Sequence, residues 1–223
     1  MIPLRDSQPS YSTPLVTGTL IGMNVLIFLY QISLDPFTSN DFVYAFGLVP
    51  DRFQWTNVLT SMFLHGGWMH LIGNMLFLWV FGDNIEDILG HGKFLLFYLL
   101  SGVGAAMAQV MINPESRIPM VGASGAIAGV MGAYLVKFPH SRIVTLVILV
   151  VFVTTVEIPA GFLLAYWFIL QFFSGVGEIA QSHITRGGGV AFFAHMGGFL
   201  AGLVLIFLLR PRDRRHSRRD LYW

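Results

Sequence analysis

The chain has 223 residues, of which 55% are hydrophobic and only 11% are charged, and its mean hydropathy is +0.68. A soluble domain usually carries about 25% charged residues, so this composition excludes an ordinary water-exposed surface and predicts a membrane protein. The net charge is +1, and the absence of cysteine excludes a thiol nucleophile, disulfides and metal sites built on cysteine.

Long apolar segments predict a series of membrane helices. About 20 apolar residues span a bilayer, and the first such segment covers residues 15–34. It follows a polar start and lacks a cleavage-like end, so we interpret it as a retained helix rather than a signal peptide. An aromatic, polar stretch at residues 35–68 is too interrupted to span and is expected to lie in the membrane interface. Further helices are predicted at residues 69–82, 94–112 and 122–138.

The apolar stretch at residues 143–173 is too long for one ordinary crossing. It is divided by Glu157 and Pro159, because a carboxylate at mid-membrane is costly whereas proline is tolerated in the first turn of a helix. We therefore expect a fifth helix at residues 158–173, with Glu157 near its start and a loop or interfacial segment before it. A sixth helix is predicted at residues 190–209.

These segments together predict an all-α polytopic membrane protein, a bundle of six transmembrane helices forming one domain over residues 15–210. Lysine and arginine positions predict its orientation, because cytoplasmic loops carry an excess of these residues. With both ends in the cytoplasm, ten Lys and Arg residues lie inside and three lie outside. We therefore expect a multi-pass protein of the cell (inner) membrane, with segment 1–14 and the basic tail 211–223 both cytoplasmic. The tail directly follows a spanning helix, which favours contact with anionic lipid over nucleic-acid binding.

Few polar side chains lie within the predicted spans, so each requires an explanation. His70 and Asn74 occur near the start of the second span, Ser124 near the start of the fourth, and His195 about one turn into the sixth. Because the even-numbered helices all enter from the outer side, these four residues are expected at a similar shallow depth. A random scatter of polar residues would not require that agreement.

Ser124 and His195 suit the roles of a nucleophile and its general base. A serine hydroxyl is weakly nucleophilic until a neighbouring base removes its proton, and histidine titrates near neutral pH. No acidic residue lies at a matching depth, so we expect a dyad rather than a triad. His70 and Asn74 are four residues apart on one helical face, and each can donate a hydrogen bond to the oxyanion that develops during attack on an amide.

Such a pair requires two helices that pack closely, which small residues at helical spacing allow. The residues expected to pack the fourth and sixth spans together at the site are Gly122, Gly125, Ala128, Gly198 and Gly202, with Gly132 continuing the row.

Each feature alone also has a structural interpretation. A Gly-x-Ser-Gly sequence at a helix start is often only a packing device, a single membrane histidine can be a structural hydrogen-bonding group, and His70 with Asn74 can simply tie helices together. A transporter would more often show charges within several spans. The conjunction of all three features at one depth favours catalysis. The glycine-rich stretch at residues 174–189 is either a mobile cap or an ordinary connector.

Three motifs resemble those of the rhomboid intramembrane protease family. They are LHGGWMHLIGNM at residues 64–75, GASG at residues 122–125 and AHMGG at residues 194–198. The similarity extends over nearly the whole chain, from FGLVP at residues 46–50 to the sixth span. The resemblance implies a six-helix core of the bacterial type.

The resemblance also implies roles for the polar residues, with Ser124 as nucleophile, His195 as general base, and His70 and Asn74 beside the oxyanion. It implies that the substrates are transmembrane proteins in the lipid bilayer, cut at small residues in or next to spans that unwind easily. The alternative is a non-catalytic rhomboid-like binder of membrane proteins. No cofactor or metal is expected, since the zinc motif His-Glu-x-x-His is absent, and His65 is expected to brace the first loop.

Overall fold

The computed structural model describes residues 2–149, 152–181 and 191–209. These residues form eight α-helices, three β-strands and two short 3-10 helices. In chain order the elements are β1 (Ile2–Asp6), α1 (Leu15–Ser33), α2 (Pro36–Phe46), a 3-10 helix (Pro50–Arg52), α3 (Trp55–Thr60), a second 3-10 helix (Ser61–Phe63), α4 (Trp68–Leu89), α5 (His91–Ile112), α6 (Ser124–Lys137), β2 (Arg142–Leu149), β3 (Phe152–Pro159), α7 (Ala160–Gln181) and α8 (Phe192–Leu208).

Two of the described helices, α1 and α5, are long and apolar enough by themselves to cross a membrane. Three shorter apolar helices are α6, the Ala160–Val176 part of α7, and α8. The stretch predicted to lie in the interface folds into α2 and α3 with the short 3-10 helices, and it exposes aromatic side chains such as Phe37 and Trp55. Six membrane spans remain a prediction.

Helix α4 ends at Leu89 rather than at the predicted residue 82. Two of the carboxylates that follow residue 82, those of Glu86 and Asp87, accept hydrogen bonds from residues near the start of the chain, so the helix can continue through them. Asp87 Oδ1 accepts hydrogen bonds from the backbone N–H and the hydroxyl of Ser12 at 2.9 and 2.5 Å. Hydrogen bonds of this kind offset the cost of removing a carboxylate from water, so the residue can lie within the helix bundle.

Glu86 of α4 is fully buried and holds the beginning of α1. Its two carboxylate oxygens accept the backbone N–H groups of Val16 and Thr17, each at 2.8 Å, and one also accepts the Thr17 hydroxyl at 2.7 Å. These N–H groups have no partner within their own helix, and a negative charge is favoured at a helix N-terminus. The imidazole of His91, at the start of α5, lies 2.6 Å from the same carboxylate. One side chain thus joins α1, α4 and α5.

A three-stranded antiparallel sheet corrects the prediction of an all-α fold. The strand order is β1-β2-β3, and β2 and β3 form a hairpin in which Arg142 pairs with Pro159. The segment expected as a loop or interfacial stretch before the fifth helix is this hairpin. Its residues are largely β-branched, which favours strands, whereas a short apolar run alone does not distinguish a strand from a buried helix.

Glu157 lies within β3 and pairs with Arg142 at 3.3 Å, so it does not begin a helix. Helix α7 begins after Pro159, at Ala160, rather than at residue 158. Strand β1 comes from residues 1–14, which are predicted only to be a cytoplasmic N-terminal segment, and it completes the sheet by pairing with β2. Its last residue, Asp6, accepts hydrogen bonds from Asn84 of α4 and Tyr134 of α6, so the sheet is fixed to the ends of both helices.

Helix α8 packs against both α5 and α6, and its two adjacent glycines explain how. A Cβ on Gly197 would lie 2.9 Å from the carbonyl oxygen of Gly104 in α5. A Cβ on the next residue, Gly198, would overlap the carbonyl oxygen of Gly125 in α6. Consecutive helical residues point about 100° apart, so the pair allows close approach to two neighbouring helices at once. This packing brings the first turns of α6 and α8 together.

Candidate active site

Ser124 and His195 lie within hydrogen-bond distance of each other. Ser124 is the first residue of α6, and His195 lies in the first turn of α8. The imidazole Nε2 is 2.8 Å from the serine Oγ, which is within the range required for proton transfer. His195 is only 9% exposed, so its imidazole is largely shielded from solvent.

Close backbone contact between α6 and α8 makes this distance possible. A Cβ on Gly202 would overlap the backbone of Gly129, and a Cβ on Gly132 would overlap the carbonyl of Phe199. On α6 the row that contacts α8 therefore includes Gly129 as well as the predicted Gly125 and Gly132. Ala128 is fully buried in the same helix.

Gly122 serves a different purpose from the predicted packing between helices. It lies before α6 with φ of +120°, a conformation that side-chain-bearing residues rarely adopt. A Cβ at this position would lie 2.7 Å from the Nε2 atom of His70 and 3.4 Å from the Nδ2 atom of Asn74. The missing side chain therefore leaves room for the α4 polar groups beside the loop that leads into Ser124.

Asn74 is held in place by His65, the residue expected to brace the first loop. The Asn74 amide nitrogen is 2.9 Å from His65 Nε2, and Gln31 of α1 bonds both the backbone C=O and N–H of His65, at 2.8 and 3.3 Å. Burial lowers the pKa of His65 to about 4, and the nearby His70 acts in the same direction. His65 is therefore neutral near pH 7 and can accept the Asn74 N–H.

Two side chains of α7, which the sequence analysis did not single out, contact His195. The Gln171 Oε1 atom is 2.8 Å from His195 Nδ1. The Trp167 ring lies with its centroid 5.7 Å from that of the imidazole, tilted by 38°. The sequence signal was a glutamine within an apolar span, where a polar group has to find a partner.

One cavity of about 810 Å³ joins these groups. Its lining includes His70, Asn74, Ser124, Trp167 and His195. The four residues predicted at one depth thus face a common space that is large enough for an extended peptide segment. In chemical terms the cavity places a hydroxyl, a base and two amide or imidazole donors around one position, an arrangement suited to acyl transfer.

Among the described residues, no group of three or more His, Cys, Asp or Glu side chains could hold a metal ion. Residues 174–181 of the predicted cap or connector continue helix α7. Residues 182–189 of that stretch lie outside the described residues.

A rhomboid domain matches residues 52–212, which is most of the chain. The chain therefore belongs to the rhomboid family, whose proteins are integral membrane proteins. This agrees with the resemblance identified from the three motifs.

Known relatives include proteases. The chain is 29% identical to Rhomboid protein 1, mitochondrial, of Saccharomyces cerevisiae over 209 residues, which cover 91% of this chain and 55% of that protein. It is 35% identical to Rhomboid protease GluP of Bacillus subtilis over 126 residues, 55% of this chain and 24% of GluP. Putative rhomboid protease YdcA of the same organism is 27% identical over 214 residues, 91% of this chain and 92% of YdcA. Apart from YdcA, the chain spans about half or less of these relatives' length.

Proposed function

We propose that this chain is an intramembrane serine endopeptidase that cuts transmembrane proteins in or next to their spans. The observation that carries the proposal is the 2.8 Å contact between Ser124 Oγ and His195 Nε2 inside a cavity shared with His70 and Asn74. Membership of a family that includes proteases supports it.

In the proposed mechanism, His195 Nε2 removes the proton of Ser124 as Oγ attacks the scissile carbonyl carbon. The negative charge that develops on the carbonyl oxygen is stabilised by donors placed in advance, which we assign to Asn74, His70 and backbone N–H groups at the start of α6. His195 then protonates the leaving amine, and an acyl-enzyme remains. Water, activated by His195, hydrolyses the ester and frees Ser124.

The proposed topology has six spans, formed by α1, α4, α5, α6, α7 and α8, with both ends of the chain in the cytoplasm. Helices α4, α6 and α8 then all begin at the outer side, where His70, Ser124 and His195 lie in their first turns. The chain has no cysteine, so single cysteines introduced at Ser7 and Ser116 report topology directly. Labelling of both from the same side of the membrane would contradict the proposal.

The test of the function is cleavage of a single-span protein by the purified chain in liposomes, with the product mapped by mass spectrometry. We expect wild type to cut in or beside the span and Ser124→Ala to cut nothing. If wild type captures the substrate but leaves it intact, the non-catalytic binder replaces the protease as the better proposal.

Replacing Asn74 with alanine is expected to lower kcat by about 10²- to 10³-fold with little change in KM, because an oxyanion donor acts mainly in the transition state. The measurement is the steady-state rate of cleavage in liposomes. Asn24→Ala is the matched control, since Asn24 is also buried but donates only to Leu20 of its own helix. An unchanged kcat for Asn74→Ala would remove Asn74 from the oxyanion site.

A further inference from the structure

Helix α7 contacts His195 at two points. Gln171 meets the edge of the imidazole, with its Oε1 atom 2.8 Å from Nδ1. Trp167 packs against the ring, with the centroids 5.7 Å apart. The two residues are four apart and therefore share one face of α7. Both nitrogens of His195 are thus engaged, one by Ser124 and the other by Gln171.

We propose that Gln171 is a positioning residue that fixes the tautomer and orientation of His195, so that the site works as a Ser–His–Gln triad rather than a dyad. The inference rests on the proposed proteolytic function. The amide oxygen can only accept a hydrogen bond. It therefore favours the tautomer with the proton on Nδ1, which leaves the lone pair of Nε2 facing the hydroxyl of Ser124.

The hydrogen bond between Gln171 and His195 matters for the protonation of the imidazole because His195 is buried. His195 is 9% exposed, and a buried N–H group without a partner is costly. Without an acceptor at Nδ1 the ring is free to move its proton to Nε2, where the nitrogen becomes a donor and no longer removes a proton from Ser124. Trp167 limits rotation of the ring from its other side. Gln171 and Trp167 thus hold orientation, and neither takes up the proton.

The proton path is complete with these groups alone. During attack, the Ser124 proton moves to His195 Nε2 and the imidazole becomes positively charged. Its Nδ1–H continues to donate to the neutral amide oxygen of Gln171. The Nε2 proton then passes to the leaving amine, and the ring returns to the tautomer that Gln171 favours.

Two substitutions test the proposal. Gln171→Met keeps the length of the side chain but removes the acceptor, and we expect about a tenfold lower kcat with KM and the thermal unfolding midpoint unchanged. Gln171→Glu keeps an acceptor and adds a negative charge, which stabilises the protonated imidazole. This variant is expected to retain the wild-type rate at alkaline pH, while the acidic limb of its pH–rate profile moves to higher pH.

Gln109→Met is the matched control, because Gln109 is a buried glutamine of the apolar helix α5, whereas the imidazole of His195 hydrogen-bonds Gln171 and Ser124. We expect its rate and pH profile to equal those of wild type. If Gln171→Met unfolds early, Gln171→Leu is measured in its place. Should the methionine variant keep the full rate, or the glutamate variant lose as much rate as methionine, the positioning role is overturned.

A second readout separates this inference from the proposed function. Phosphonylation of Ser124 by a fluorophosphonate requires the same proton transfer to His195 but no peptide substrate. We expect Gln171→Met to slow this labelling about tenfold. If wild type cuts no substrate yet the labelling depends on Gln171, the proteolytic proposal fails and the positioning role stands. Equal labelling rates for wild type and Gln171→Met would overturn the positioning role alone.

Discussion

Replacing His195 with alanine is expected to lower kcat for cleavage of a single-span substrate by about 10⁴- to 10⁶-fold, as much as Ser124→Ala. The imidazole Nε2 lies 2.8 Å from the serine Oγ, so its removal leaves the hydroxyl without a group to take its proton. Because Asn74 and His70 remain, binding and stabilisation of the oxyanion should persist and leave a small residual acceleration over the uncatalysed reaction.

The double variant Ser124→Ala with His195→Ala is expected to be no slower than either single variant. The two side chains act as one unit, so removing the second side chain after the first causes no further loss of rate. Additive losses would indicate that each residue contributes separately and would contradict a shared proton transfer.

Initial rates in liposomes, with the cleavage product mapped, measure both effects. His140→Ala is the matched control, since His140 is an exposed histidine in the segment between α6 and β2. It should cleave at the wild-type rate. Retention of more than about one per cent of wild-type activity by His195→Ala would show that another group acts as the base.

The sequence predicts the location of the candidate site because polar residues are scarce in membrane helices. Each of His70, Asn74, Ser124 and His195 stands out against an apolar background, and helix order alone predicts that they lie at one depth. In the structure all four line one cavity. This inference needed no side-chain detail, only the direction in which each helix crosses the bundle.

The features that the sequence did not reveal depend on three-dimensional pairing. The β2–β3 hairpin lies in an apolar run that fits a helix or a strand equally well, and only the pairing of the strands distinguishes them. The second helix is predicted to end at residue 82, yet it continues past Glu86, whose carboxylate accepts hydrogen bonds from the N-terminus of α1. Gln171 became meaningful only when α7 was placed beside His195.

The glycines include positions whose contacts the sequence predicts and positions whose contacts it does not. Small residues at helical spacing correctly indicated close packing between the helices that carry Ser124 and His195, and Gly198 and Gly202 contact α6 as expected. Which α6 residues oppose them depends on the rotation of the helix about its axis, and Gly129 was missed for that reason. Gly122 looked like part of the same row but is required by its positive φ and by His70.

Replacing Gly202 with valine is expected to abolish the folded state, and Gly202→Ala to lower the free energy of unfolding by roughly 3 kcal/mol, the upper end of typical overpacking costs. A Cβ at this position would overlap the carbonyl group and Cα of Gly129. These are backbone atoms of α6, so no rotamer change relieves the overlap and the two helices must separate. Thermal unfolding in detergent, followed by circular dichroism and protease resistance, measures the loss.

Separation of α6 and α8 should also reduce activity in whatever fraction of Gly202→Ala remains folded. Ser124 lies on one of these helices and His195 on the other, and a misplacement of about 1 Å costs about 10²-fold in rate. Gly22→Ala and Gly22→Val on α1 are the matched controls, because a Cβ there would have no atom of a packed neighbour within 4 Å. Equal unfolding midpoints for Gly202→Val and Gly22→Val would mean that α6 and α8 can separate without loss of stability. The close packing of these helices would then not explain the short distance between Ser124 and His195.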